Sequence, residues 1–172
     1  MCKYTAITER FCAAFYSIFV CDKANVERNI MAFVRIMIHA VWGTKNRYPF
    51  LTKEVREKVI EHIRENAKQK EIFIDRINGY TDHLHCLIWL NADMSIAKVM
   101  QLIKGESAYW INKVGLTTAK FEWADEYYAA SVSESVIDKV RAYIDGQEAH
   151  HQKTTFQMEC EELLKNFARQ GQ

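Results

Sequence analysis

The chain has one proline and six glycines among 172 residues. So little punctuation leaves no linker, internal repeat or low-complexity stretch to separate domains, and the length suits one domain with a proper core. An excess of charge of one sign is also missing. The formal net charge is +1, so a nucleic-acid partner must be met by a local basic surface and not by a field over the whole molecule. The five cysteines (Cys2, Cys12, Cys21, Cys86 and Cys160) are odd in number and scattered, with no C-x-x-C pair. That excludes a disulfide framework and reads as reduced, intracellular thiols. Cys86, inside an apolar run, reads as a small buried hydrophobe.

No apolar run approaches the roughly 20 residues that a bilayer span needs. The nearest, Phe11 to Cys21, is followed by Asp22, Lys23, Glu27 and Arg28 with no small-x-small cleavage site, which argues against a signal peptide. Residues 1–30 then have two readings. They form a short helix packed on the domain, or an extension outside the native domain with Met31 as the authentic start. The expected division is an N-terminal extension over 1–30 and a single domain over 31–172.

The rest of the composition is ordinary for a globular protein, 49% hydrophobic and 26% charged. Phe33 to Trp42 is β-branched and aromatic and predicts a strand. Val34, Ile36, Ile38, Ala40 and Trp42 share one face; Arg35, Met37, His39 and Val41 share the other. Thr52 can cap a helix to Lys70 with Val55, Val59, Ile60, Ile63 and Ala67 inward. Arg56 and His62 lie off that face and read as solvated. Glu71 to Asn78 and His83 to Leu90 predict two more strands around a turn at Gly79. Ser95 and Gly115 bracket a second helix, in which Gly105 predicts a kink or a close packing contact. Phe121 to Ser131 reads as part loop, part edge strand. Ser133 opens a third helix to His151, and Thr154 with Gln157 makes a capping box for a last one faced by Phe156, Cys160, Leu163, Leu164 and Phe167. The order β-α-β-β-α-β-α-α describes an α+β, ferredoxin-like split βαβ fold, an antiparallel sheet with helices packed on one face and a C-terminal tyrosine-bearing helix.

Two places carry chemistry. Along a strand, His83 and His85 point the same way while Leu84 points the other, and two imidazoles side by side make a half-site for a metal ion. In the third helix, at about 100° per residue, Ile137, Val140 and Ile144 face the protein. Tyr143, Gln147, His150 and His151 continue that inward wedge, while Arg141, Asp145 and Glu148 point outward as a solvated face. Inward polar groups are costly without partners. Tyr143 and Gln147, at i and i+4, are stacked so as to meet one metal or phosphate.

At these residues the sequence resembles a known family. His83-Leu84-His85 resembles the histidine-hydrophobic-histidine (HUH) signature, and Tyr143 to His151 resembles the tyrosine helix of the single-tyrosine transposases of the insertion-sequence 200/605 family. Trp42 to Arg47, Phe121-Glu122-Trp123 and Ser131-Val132-Ser133 are similar to that family's flanking segments, so the likeness runs from about Phe33 to Phe167. Two positions depart from it: Gly146 stands where asparagine is expected, loosening the helix, and Thr81 where proline is frequent.

The resemblance implies a metal-dependent endonuclease and strand transferase acting on hairpin-bearing single-stranded DNA. Tyr143 would be the nucleophile, linked to a 5′ phosphate. His83, His85 and Gln147 would hold a divalent cation, Mg2+ or Mn2+ in preference to Zn2+. It also implies a cytoplasmic, DNA-associated homodimer, whose tyrosine helix can complete the partner's site, and no membrane partner. Around the centre, Asp82 is a turn residue or a support for His83, His39 can approach the pair if the first and third strands are neighbours, and His150 can handle protons or touch DNA. Lys45, Arg47 and Lys104 are either solvated or contacts for DNA phosphates. Alternatives are a relaxase-like or replication-initiator HUH nuclease, a domesticated relative acting on repeated palindromes, and a non-catalytic ferredoxin-like nucleic-acid-binding module.

Overall fold

In the computed structural model, which describes residues 34–151, 156–161 and 165, β1 (Ile36–Gly43) and β3 (His83–Leu90) form the centre of the sheet. They pair antiparallel along their whole length, from Ile36 opposite Leu90 to Gly43 opposite His83. β2 (Phe73–Gly79) flanks β3, and β4 (Tyr128–Ser131) flanks β1 as an edge strand. The order β2-β3-β1-β4, all antiparallel, is the ferredoxin-like order expected from the sequence. The expectation about residues 1–30 lies outside the described residues, as do Thr154, Leu163, Leu164 and Phe167 of the last helix.

Period-two alternation divides the sheet into two unlike faces. Ala40, Trp42, Leu84, Cys86 and Ile88 pack with Val59, Ile63 and Ala67 of α1 (Lys53–Gln69) and Val99, Met100, Ile103 and Ile111 of α2 (Ile96–Val114). Each fully buried aliphatic chain there contributes about 1.5–3 kcal/mol. Burial pushes the Cys86 thiol well above its ordinary range, as suits a small hydrophobe. The opposite face carries Met37 and Leu87, covered by Ile137 and Ile144 of α3 (Ile137–Asp145). The tyrosine helix therefore lies across the sheet from the other two.

The helix ends follow their local chemistry. Ser95 Oγ accepts from Lys98 N at 3.2 Å, and Gly115, at φ 62°, closes α2. Thr52 precedes α1 without a side-chain capping bond. Gly105 produces neither a kink nor a tight contact: α2 runs through it, and a Cβ there would meet nothing within 4 Å. The third helix is not continuous. It is a 3-10 turn (Glu134–Val136), then α3, then α4 (Gln147–His151), with Gly146 between the last two.

Five residues read as solvated, His62, Arg56, Glu148, Arg141 and Asp145, are structural. His62 stacks on Trp110, with centroids 4.1 Å apart, and lies 2.8 Å from Glu106, joining α1 to α2. Arg56 is buried beneath Glu148, its ion-pair partner from α4. Arg141 binds Asp75 of β2 through two nitrogens, at 3.0 and 2.6 Å. Asp145 pairs with Arg76 at 3.4 Å, and its carbonyl accepts from Asn78 at 3.1 Å. A register shift between Ile74 and Arg76 sits at Asp75, and an extra residue there turns its carboxylate out of the ladder toward α3. These polar contacts fix the tyrosine helix against the sheet edge. None of the described helices is long and apolar enough to cross a membrane.

Candidate active site

His83 and His85 lie on the α3 side of the sheet, fully buried, with ring centroids 5.1 Å apart. Each is held from behind. His83 Nδ1 is 2.8 Å from Asp82 Oδ1, and His85 Nδ1 is 3.1 Å from His39 Nε2. His39 reaches that position because β1 and β3 are neighbours, with His39 opposite Leu87 and diagonal to His85 on one face. Such partners fix the tautomer and leave both Nε2 lone pairs facing forward. Asp82 thus stands immediately before β3 with its carboxylate against His83.

Burial favours the neutral form of His39 and of His85. Burial, and then the neighbouring His85, push His39 down to about 3. Burial, followed by His83, His151 and His150, holds His85 well below its ordinary value. Burial raises the Asp82 carboxyl, but the hydrogen bond to His83 and the Arg47 guanidinium beside it leave it below its ordinary value.

The forward atoms converge. Neither His83 Nε2 nor His85 Nε2 makes a hydrogen bond, although both are buried. His85 Nε2 is 3.3 Å from Glu159 Oε1, and His83 Nε2 is 3.7 Å from Glu159 Oε2. His151 Nε2 is 3.3 Å from Glu159 Oε2 and 3.1 Å from Gln147 Oε1. One donor atom from each of His83, His85, His151 and Glu159 lies within 4.8 Å of the others. Buried imidazoles without hydrogen bonds on their Nε2 atoms, turned toward a carboxylate, fit a divalent cation. Phe156 roofs the group, its ring parallel to His83 at 4.0 Å, with Arg47 over its far side at 4.8 Å.

Tyr143 stands at the rim. Its ring meets His85 edge-on at 5.6 Å, His150 at 5.2 Å and His39 at 6.2 Å. The tyrosine and the histidine pair are together within one chain. Gln147, one turn on, is fully buried, and its amide nitrogen donates to Tyr143 O at 3.3 Å. The Gly146 break rotates nothing away: Gly146 N still donates to Ala142 O and His150 N to Gly146 O, each at 3.0 Å.

The remaining sequence candidates separate. His150 borders the cluster, with Nε2 3.9 Å from Glu159 Oε1. Arg47 pairs with Asp82 at 3.4 Å while staying substantially exposed. Lys45 is committed to Glu122 at 2.7 Å instead of being simply solvated. Lys104 is drawn to the Asp125 carbonyl at 2.8 Å and the Glu126 carbonyl at 3.4 Å, where it braces a loop. Sequence reasoning missed Glu159 and gave His151 no role. Glu159 follows Phe156 by one helical turn and precedes Cys160, so the inward face of the last helix was its one signal.

Beside the cluster is a largely apolar cavity of about 290 Å³, bordered by Trp42, Arg47, Tyr127, Tyr128, Phe156 and Cys160.

A family model described as "Transposase IS200 like" matches residues 32–147. The ISDra2 transposase TnpA of Deinococcus radiodurans is 26% identical over 115 residues, covering 63% of this chain and 81% of that protein. Among solved structures, a candidate transposase from Deinococcus radiodurans R1 aligns with TM-score 0.56 and 22% identity, over 72% of this chain and 98% of that one. A REP-associated tyrosine transposase bound to a REP hairpin aligns with TM-score 0.50 and 13% identity, over 74% of each chain. The fold is thus shared with transposases, and the family match spans the paired histidines, Tyr143 and Gln147. The chain belongs to the IS200-like transposase family.

Proposed function

We propose that this transposase cuts and rejoins single-stranded DNA at hairpin-marked ends, with Tyr143 as the nucleophile. The observation that carries the reading is the meeting of Tyr143 with His85, edge to face at 5.6 Å, beside two Nε2 atoms that make no hydrogen bond. The Tyr143 hydroxyl loses its proton and its oxygen attacks phosphorus. The bond from phosphorus to the 3′ oxygen breaks, leaving a 5′-phosphotyrosine and a 3′ hydroxyl that takes up a proton. The phosphotyrosine conserves the ester bond, so attack by a 3′ hydroxyl reseals the strand without ATP.

A free tyrosine has a pKa near 10, so the target must be polarised or the hydroxyl activated. A divalent cation, Mg2+ or Mn2+, held by His83, His85 and Gln147 would act as a Lewis acid on the phosphate and stabilise the leaving oxygen. Asp82 and His39 orient the two imidazoles, and α3's ion pairs with β2 hold Tyr143 in place. Arg47, exposed beside the Phe156 ring, can meet a flanking phosphate. The aromatic cavity can take an unpaired base. Family membership supports action as a homodimer on DNA in the cytoplasm, and the hairpin held by the REP-associated neighbour supports a folded single strand as substrate.

The test is incubation with a single-stranded hairpin oligonucleotide and Mn2+, followed by a denaturing gel. A protein–DNA species is expected, lost in Tyr143→Phe and after chelation. An adduct that persists in Tyr143→Phe contradicts the assignment.

A further inference from the structure

We infer that Glu159 and His151 are also ligands of the ion, so that the chain's C-terminal helix closes the centre built on His83 and His85. This rests on the metal-dependent reading above and goes beyond its ligand set. Metal–nitrogen and metal–oxygen bonds of about 2.1 Å place tetrahedral ligand atoms about 3.4 Å apart. The separations from Glu159 to the Nε2 atoms of His85, His151 and His83 are 3.3, 3.3 and 3.7 Å. These are the spacings of ligands around one ion, and both carboxylate oxygens take part. Glu159 is 2% exposed, so the charge has been drawn into the protein interior. A cation held between the carboxylate and the imidazoles offsets the cost of placing it there.

The surroundings have the form of a built site. Phe156, one turn before Glu159, lies flat on His83 at 4.0 Å and sets the helix's approach. Tyr80 stacks on His151 at 5.0 Å, fixing that ring. Gln147 Oε1 lies 3.1 Å from His151 Nε2, and in the Nδ1–H tautomer of His151 that nitrogen carries a lone pair. Three imidazoles and a carboxylate bind late first-row divalent ions more tightly than two imidazoles and an amide. Ion binding is then coupled to docking of the last helix.

The experiment is Co2+ titration of the metal-free full-length chain, read by the visible d–d band and by competition with a chelating dye. Glu159→Gln and His151→Gln should each lower Co2+ affinity at least tenfold and change the band. In the unaltered chain, Co2+ should slow amide hydrogen exchange across residues 156–161, a readout that needs no variant. Wild-type affinity in both variants, with exchange over 156–161 unchanged by Co2+, overturns the inference. If His83→Ala alone abolishes binding in that case, the histidine-pair reading survives. If His83→Ala also binds as wild type, both fall.

Discussion

His39 Nε2 stands 3.1 Å from His85 Nδ1, on the sheet face that Tyr143 covers, where its ring meets Tyr143 at 6.2 Å. With His85 Nε2 turned forward, the proton on Nδ1 is donated to His39. Partners behind a metal-bound histidine are worth about 10- to 100-fold in affinity. His39→Phe keeps a ring of similar size and removes the acceptor. It should weaken Mn2+ binding by that factor with little loss of helix content, measured by calorimetry and far-ultraviolet circular dichroism. Unchanged affinity would remove His39 from the centre.

The Asp75–Arg141 contact, at 2.6 Å, ties α3 to β2, with the Asp75 side chain 7% exposed. Asp75→Asn should loosen residues 137–151 and leave α1 and α2 intact. Amide exchange over 137–151 should accelerate on the order of tenfold. Uniform acceleration over the whole domain would mean that the pair serves global stability instead.

Two glycines should respond in opposite directions. A Cβ at Gly79 would lie 2.2 Å from His83 O, and β2 turns into the histidine strand there. Gly79→Ala should cost about 1–3 kcal/mol through overpacking. Gly105 has open space around a Cβ within a regular helix, so Gly105→Ala should stabilise by about 1 kcal/mol. Urea denaturation of the two variants checks both signs.

Those two glycines also show what can be read from sequence alone. β-branched and aromatic runs and turn chemistry reveal Gly79 and the three strands from Ile36 to Leu90, while β4 reads only as part loop, part edge strand. They mislead at Gly105, since whether a neighbour approaches a helix depends on tertiary packing. The histidine pair and the Tyr143–Gln147 wedge were legible because both are local spacings. Arg141, Asp145 and Glu148 were not: the helix wheel shows that they point away from the core, but not that a shifted β2 and a buried Arg56 meet them there. Glu159 was least legible. Its place against His83 and His85 depends on the path of the chain between α4 and the last helix, and no residue spacing encodes that path.

The central claim is that Tyr143, and no other aromatic near the cluster, takes the DNA. Tyr80 stacks on His151 at 5.0 Å and Tyr128 meets His39 at 6.5 Å, so both are competitors by position. The direct measurement is peptide mapping by mass spectrometry after reaction with a single-stranded hairpin oligonucleotide and Mn2+, followed by nuclease trimming. A residual nucleotide on the peptide containing Tyr143 is the predicted result. A nucleotide on Tyr80 or Tyr128, with Tyr143 unmodified, would contradict it.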